Sequence, residues 1–137
     1  MEELEFEIPE FEEKTKKILK KLLPEFGQVA NPLDLIAEAN AEAYGKSIEA
    51  LMQDNNVDML AIVVLMQTPP VDERVLNVLI RASDDRRKPV VVISVGGSYT
   101  DNYRRVLESH GVPTYGYPLS AAKALEKLWE YARFHKK

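Results

Sequence analysis

Met59-Leu60-Ala61-Ile62-Val63-Val64-Leu65-Met66 is apolar at every position. The run is far shorter than the ~18 residues a membrane span needs, and it lacks the polar alternation of a half-exposed strand. It therefore reads as a strand covered by helices on both faces, central in a parallel sheet. Val90 to Val95, rich in β-branched residues, reads as a second buried strand. Between them, Thr68-Pro69-Pro70 opens a helix with proline in its first turn, and Val71, Val75, Val78, Leu79 and Ala82 form the inner stripe.

The same alternation continues on both sides. Upstream, Asn40 is a good N-cap for a helix whose inner face is Tyr44, Ile48, Leu51 and Met52, ending near Asp54-Asn55-Asn56. Further back, Phe11, Thr15, Ile18, Leu19 and Leu22 recur at helical spacing from Glu10 to about Leu23. Leu4, Phe6 and Ile8 alternate with glutamates, the pattern of an edge strand. Downstream, Gly96-Gly97-Ser98 leads to a helix from about Thr100 to Ser109, with Tyr103, Val106 and Leu107 inward and Gly111 as its stop. A short strand at Val112 to Tyr115 precedes a last helix with the stripe Ala121, Ala122, Leu125, Leu128, Trp129 and Ala132. Strand and helix alternate with short connections, so the expected fold is α/β, with a short, mostly parallel sheet joined by right-handed crossovers.

With 137 residues, the chain is expected to form a single domain spanning 1–137. It is 45% hydrophobic and 29% charged, within the range of chains that fold. A net charge of −4 repels phosphate backbones and anionic bilayers, which points away from nucleic acid and membrane as partners. The chain has no cysteine, which removes disulfides, thiolate nucleophiles and cysteine metal sites and is compatible with the cytoplasm. No export signal is legible in the first twenty residues.

Ligands of open parallel sheets gather beyond the carboxyl ends of the strands. The turns expected there are Ala37 to Asn40, Gln67 to Pro70, Gly96 to Thr100 and Gly116 to Pro118. Gly96-Gly97-Ser98-Tyr99-Thr100 has the strand, turn and helix setting in which backbone N–H groups hold an anion. It lacks the spacing of the dinucleotide and P-loop fingerprints, and a plain tight turn is the competing reading. His110, before Gly111, is placed to favour a helix dipole, and His135 falls in the tail. No catalytic triad is argued. Most carboxylates fall on polar helix faces. Asp34, after Asn31-Pro32-Leu33, more often holds a turn than a metal. Arg86-Arg87-Lys88 is the one compact basic cluster inside the chain and is expected to stay solvated.

From Phe11 onward the order of motifs resembles the C-terminal ligase domain of the NDP-forming acyl-CoA synthetases, the ADP-forming acetate–CoA ligases related to succinyl-CoA synthetase. The matching pieces are Glu10-Phe11-Glu12-Glu13-Lys14-Thr15, Leu23-Pro24, Asn31-Pro32-Leu33-Asp34-Leu35, Leu51 to Asp58, the apolar strand, Lys88-Pro89-Val90 and His110 to Tyr115. The resemblance implies a flavodoxin-like three-layer sandwich within an assembly that makes or uses acyl-CoA through acyl phosphate and phosphohistidine intermediates. CoA and ADP/ATP are implied for that assembly, and no cofactor for this chain by itself. The family domain opens with a central strand and a glycine-rich turn, and nothing here corresponds before Leu4, so the chain is expected to be truncated at its N-terminus. The family's catalytic histidine, CoA-binding domain and ATP-grasp domain also have no counterpart, and no catalytic residue is carried over. The matching loops supply interface or ligand-lining candidates only: Asn31, Pro32, Asp34, Gln67, Thr68, Gly96, Gly97 and Ser98.

In the flavodoxin-like order 2-1-3-4-5, the missing strand would lie between the Leu4 to Ile8 and Met59 to Met66 strands. Unpaired buried backbone there costs free energy, so either the two flanking strands pair directly or a strand comes from a second copy or from synthetase subunits, and self-association through this side is the favoured expectation. The expected function is a non-catalytic part of such a synthetase or an accessory to it. The alternative is a stand-alone binding module that reuses the scaffold.

Overall fold

A computed structural model describes residues 7–22, 29–33, 40–64, 72–94 and 98–135, except the side chains of 98, 99 and 135. Three strands, β1 (Leu60–Val63), β2 (Val90–Ile93) and β3 (Thr114–Tyr115), form a parallel sheet in the order β1-β2-β3. Leu60 lies opposite Val90 and Val63 opposite Ile93, while Val92 and Ile93 face Thr114 and Tyr115. The ladder runs one residue past each edge, with Val64 N–H donating to Ile93 O at 3.0 Å and Ser94 N–H to Tyr115 O at 2.9 Å.

Among the described residues, five helices pack around the sheet. α1 (Glu13–Leu22) buries Thr15 and Leu19 and leaves Ile18 largely outside. α2 (Ala41–Met52) begins where the sequence indicates, the Asn40 carboxamide oxygen accepting from Ala43 N–H at 3.1 Å. α3 (Glu73–Asp85) starts later than expected, and Pro69 and Pro70 of the expected first turn lie outside the described residues. Asp72, in extended backbone, caps it instead by accepting from Arg74 N–H at 3.0 Å. α4 (Ser98–Ser109) stops at Gly111, whose φ of 84° only glycine adopts readily. The N–H groups of Gly111 and Val112 turn back to Glu108 O and Leu107 O at 3.0 Å each. α5 (Pro118–His135) closes the chain.

The helices divide into two layers. Leu19, Met52, Val75, Leu79 and Leu107, from α1 to α4, pack against Leu60, Val64, Val90 and Val92 on one face of the sheet. Ala121 and Leu125 of α5 pack against Val91 and Ile93 on the other. The alternating residues of β2 thus belong to two separate cores, and the strand is buried at all four positions.

The structure corrects the expected place of the first apolar segment. Among the described strands the central one is β2, and β1 lies at the edge. Its Leu60 and the following Val64 are buried against the large core, but Ala61 is exposed and Val63 is 56% exposed. The reason is coverage: α5 lies across β2 and β3, leaving the corresponding side of β1 bare. The expected stripe of α5 is likewise only half buried, with Ala121, Ala122 and Leu125 inside and Leu128 and Ala132 exposed. An 18-residue helix is about 27 Å long and outruns a four-residue strand of roughly 13 Å. In its overhanging turns Arg133 stacks over Trp129, 4.5 Å from the ring centroid.

Of the expected edge strand, Leu4 to Phe6 fall outside the described residues, and Glu7 and Ile8 are not in a strand. Among the described residues no helix is long and apolar enough to cross a membrane.

Candidate functional site

The carboxyl ends of the strands hold a set of polar groups that are tied mostly to one another. Ser94, just past β2, is buried and donates its hydroxyl to Val64 O at 2.9 Å, which locks β1 and β2 together at this rim. Thr100 lies in the first turn of α4, fully buried, with its hydroxyl unpartnered. In β3, Thr114 donates to Glu108 Oε1 at 2.5 Å, and Arg104 Nε approaches the Thr114 hydroxyl at 3.4 Å. Gly116 follows at close quarters, because a Cβ there would stand 3.3 Å from Arg104 Nη1. Tyr117 stands mostly in solvent at the start of α5.

A second cluster gathers at the amino ends. Asp54, buried completely, accepts from Glu12 N–H at 2.9 Å through Oδ2 and from Asn56 N–H at 2.8 Å through Oδ1. Thr15 also donates to it. Burial pushes the Asp54 carboxyl up, but these donors and the nearby Lys88 cation outweigh burial and hold it below the usual carboxylate range. Lys88 Nζ donates to Leu51 O at 2.7 Å and to Asp54 O, capping the C-terminal end of α2. Desolvation lowers its pKa in spite of Asp54 and Asp58 nearby. Asn56 Nδ2 donates to Glu10 O at 3.0 Å, so one knot joins the start of α1, the end of α2 and the entry to β2.

This knot corrects the expectation that Arg86-Arg87-Lys88 stays solvated at Lys88 alone, since Arg86 and Arg87 are exposed. Arg86 takes the left-handed conformation that ends α3, with φ 64°. Arg87 reaches Asp85 at 2.6 Å and Glu49 of α2 at 2.9 Å, and both raise its pKa. Lys88 turns inward.

Of the sequence-derived candidates, Asn31, Pro32 and Ser98 lie among the described residues, and they sit at opposite rims of the sheet. Asn31 donates through Nδ2 to Pro9 O at 3.0 Å, and the Asn31–Pro32 bond is cis. Asn31 lines a recess of about 310 Å³ together with Pro9, Phe11 and Lys16, on the amino-end side of the sheet. Lys16 is already engaged by Glu10 and Glu13. Ser98 opens α4, beyond the carboxyl end of β2, on the opposite rim. Asp34, Gln67, Thr68, Gly96 and Gly97 lie outside the described residues. Asp54 and Lys88, the most deeply engaged charges, were missed by sequence reasoning. The available signal was a polar Asp54-Asn55-Asn56 knot between apolar elements and a lysine directly before a buried strand.

A cleft of about 380 Å³ between α2 and α3 is lined by Gly45, Lys46, Arg74, Val78 and Arg81. Lys46 there pairs with Glu42 at 2.6 Å and Arg74 with Asp72 at 2.8 Å. Among the described residues no three acidic or histidine side chains gather to hold a metal ion. The arrangement fastens helices to strands at both rims, and the side it leaves uncovered is the Ala61 and Val63 face of β1.

Comparison with known proteins gives a consistent relationship. No protein-family model matches the chain. The alpha subunit of ADP-forming acetate–CoA ligase II from Pyrococcus furiosus is 34% identical over 128 residues, spanning 89% of this chain and 28% of the relative. ADP-forming acetate–CoA ligase I from Archaeoglobus fulgidus is 32% identical over 127 residues, 93% of this chain and 18% of that protein. A crystal structure of a Pyrococcus horikoshii protein superposes with a TM-score of 0.87 at 32% identity, over 96% of this chain and 31% of the other. The dinucleotide-forming acetyl-coenzyme A synthetase 1 of Ca. Korarchaeum cryptofilum, solved with phosphate and ADP, superposes with a TM-score of 0.83 at 26% identity, over 96% and 29%. The homologues of this chain are thus ADP-forming acetate–CoA ligases, matched along nearly all of its length, and the chain spans less than a third of theirs.

Proposed function

We propose that this chain is part of, or accessory to, an ADP-forming acyl-CoA synthetase of the acetate–CoA ligase type, and that it completes no turnover by itself. Its contribution is a docking surface, the bare side of β1, through which it joins synthetase polypeptide that carries the remaining functions. CoA and ADP/ATP are then ligands of the assembly.

The observation that carries this reading is the exposure of Val63, 56% of whose surface is open on a strand of a parallel sheet. Parallel sheets are ordinarily covered on both faces, because their strands are apolar on both. The homology to alpha subunits of acetate–CoA ligases supports the choice of partner.

The test is to mix the purified chain with synthetase subunits from the same source and to follow complex formation by sedimentation and acetyl-CoA formation from acetate, CoA and ATP. The chain alone is expected to be inactive, to bind the subunits and to be required for their full activity. Val63→Glu, which places a carboxylate on the bare face without touching the core, is expected to weaken binding at least tenfold with an unchanged urea midpoint. Acetyl-CoA formation by the chain alone, or undiminished binding of V63E, would overturn the proposal.

Self-association through the same side is the second reading, favoured by the edge residues Leu60–Val63, which include no charge, proline or glycine to guard against pairing. A dimer at micromolar concentration that V63E dissociates, with no binding of synthetase subunits, would select it.

A further inference from the structure

We draw no further inference here: the strongest candidate outside the site already described, the lysine-rich outer face of α1 with Lys14, Lys17 and Lys21 around exposed Ile18, is a helix face for which nothing in the structure shows what covers it.

Discussion

Asp54→Asn is nearly isosteric, and its effect follows from which oxygen does what. Glu12 N–H donates to Oδ2 and Asn56 N–H to Oδ1, so both carboxylate oxygens are occupied by backbone donors. An asparagine has one oxygen and one NH2 group, and whichever way the amide is turned, the NH2 faces an N–H. One charge-assisted hydrogen bond is lost outright, the other becomes neutral, and Lys88 loses its nearest buried anion. Hydrogen bonds to charged groups contribute about 1.5–3 kcal/mol each, so the expected destabilisation is about 2–4 kcal/mol. Set against a total of about 5–15 kcal/mol, that is a large fraction. In equilibrium urea unfolding with a slope of about 1.5 kcal/mol per molar, a 3 kcal/mol loss lowers the midpoint by about 2 M.

The pH dependence carries the same signature. The folded-state pKa of Asp54 lies below the ordinary 3.8, so its stabilisation is fully present above about pH 4 and is lost as pH falls through the depressed folded value. The gap between wild type and D54N should therefore be flat from pH 7 down to about 4 and close below it. A double-mutant cycle with Lys88→Met should show coupling of about 1 kcal/mol or more. A D54N protein within about 0.5 kcal/mol of wild type at pH 7, or a gap that does not close in acid, would refute the assignment of this carboxylate as the centre of the knot.

Other substitutions test other parts of the fold. Gly45→Ala, in the interior of α2, places a methyl at ordinary contact distance from Val78, 3.7 Å, and should stabilise the protein by about 0.5–1 kcal/mol in urea unfolding. Gly111→Ala meets no neighbour within 4 Å, yet forces a side chain into a φ of 84°. Its thermal unfolding should report a loss of about 1–2 kcal/mol from backbone strain alone. Ser94→Ala removes the buried hydroxyl that links β2 to Val64 O and should cost about 1–2 kcal/mol, with amide exchange faster at the carboxyl ends of β1 and β2.

Most of the secondary structure is legible without coordinates, because it is written in local terms. Asn40 caps its helix because its carboxamide competes for the first free N–H groups, and this depends on residues three apart. Gly111 stops α4 for an equally local reason, the absence of a Cβ. The unbroken β-branched run of β2 reports burial on two faces, and β2 is buried on two faces. Thr68-Pro69-Pro70 pointed to too early a start for α3 because proline is favoured in a first helical turn, and the carboxylate of Asp72 sets the observed start.

The candidate site is less legible, since its groups meet only after the chain has folded. Glu12 and Asp54 are 42 residues apart, and Lys88 lies 34 residues beyond Asp54, yet all three share one knot. Their local sequence offers only a polar Asp54-Asn55-Asn56 run and a lysine just before a buried strand, which does not tell which distant groups they meet. By itself the amino-acid order determined the α/β class, the parallel pairing and the kinship with acyl-CoA synthetases, because hydrophobic period and motif order are properties of neighbouring residues. Only the tertiary structure decided that β2 and not β1 is the middle strand among those described, and that Val63 faces outward. An apolar side chain records what can be buried, and whether it is buried depends on where a helix 60 residues later comes to rest.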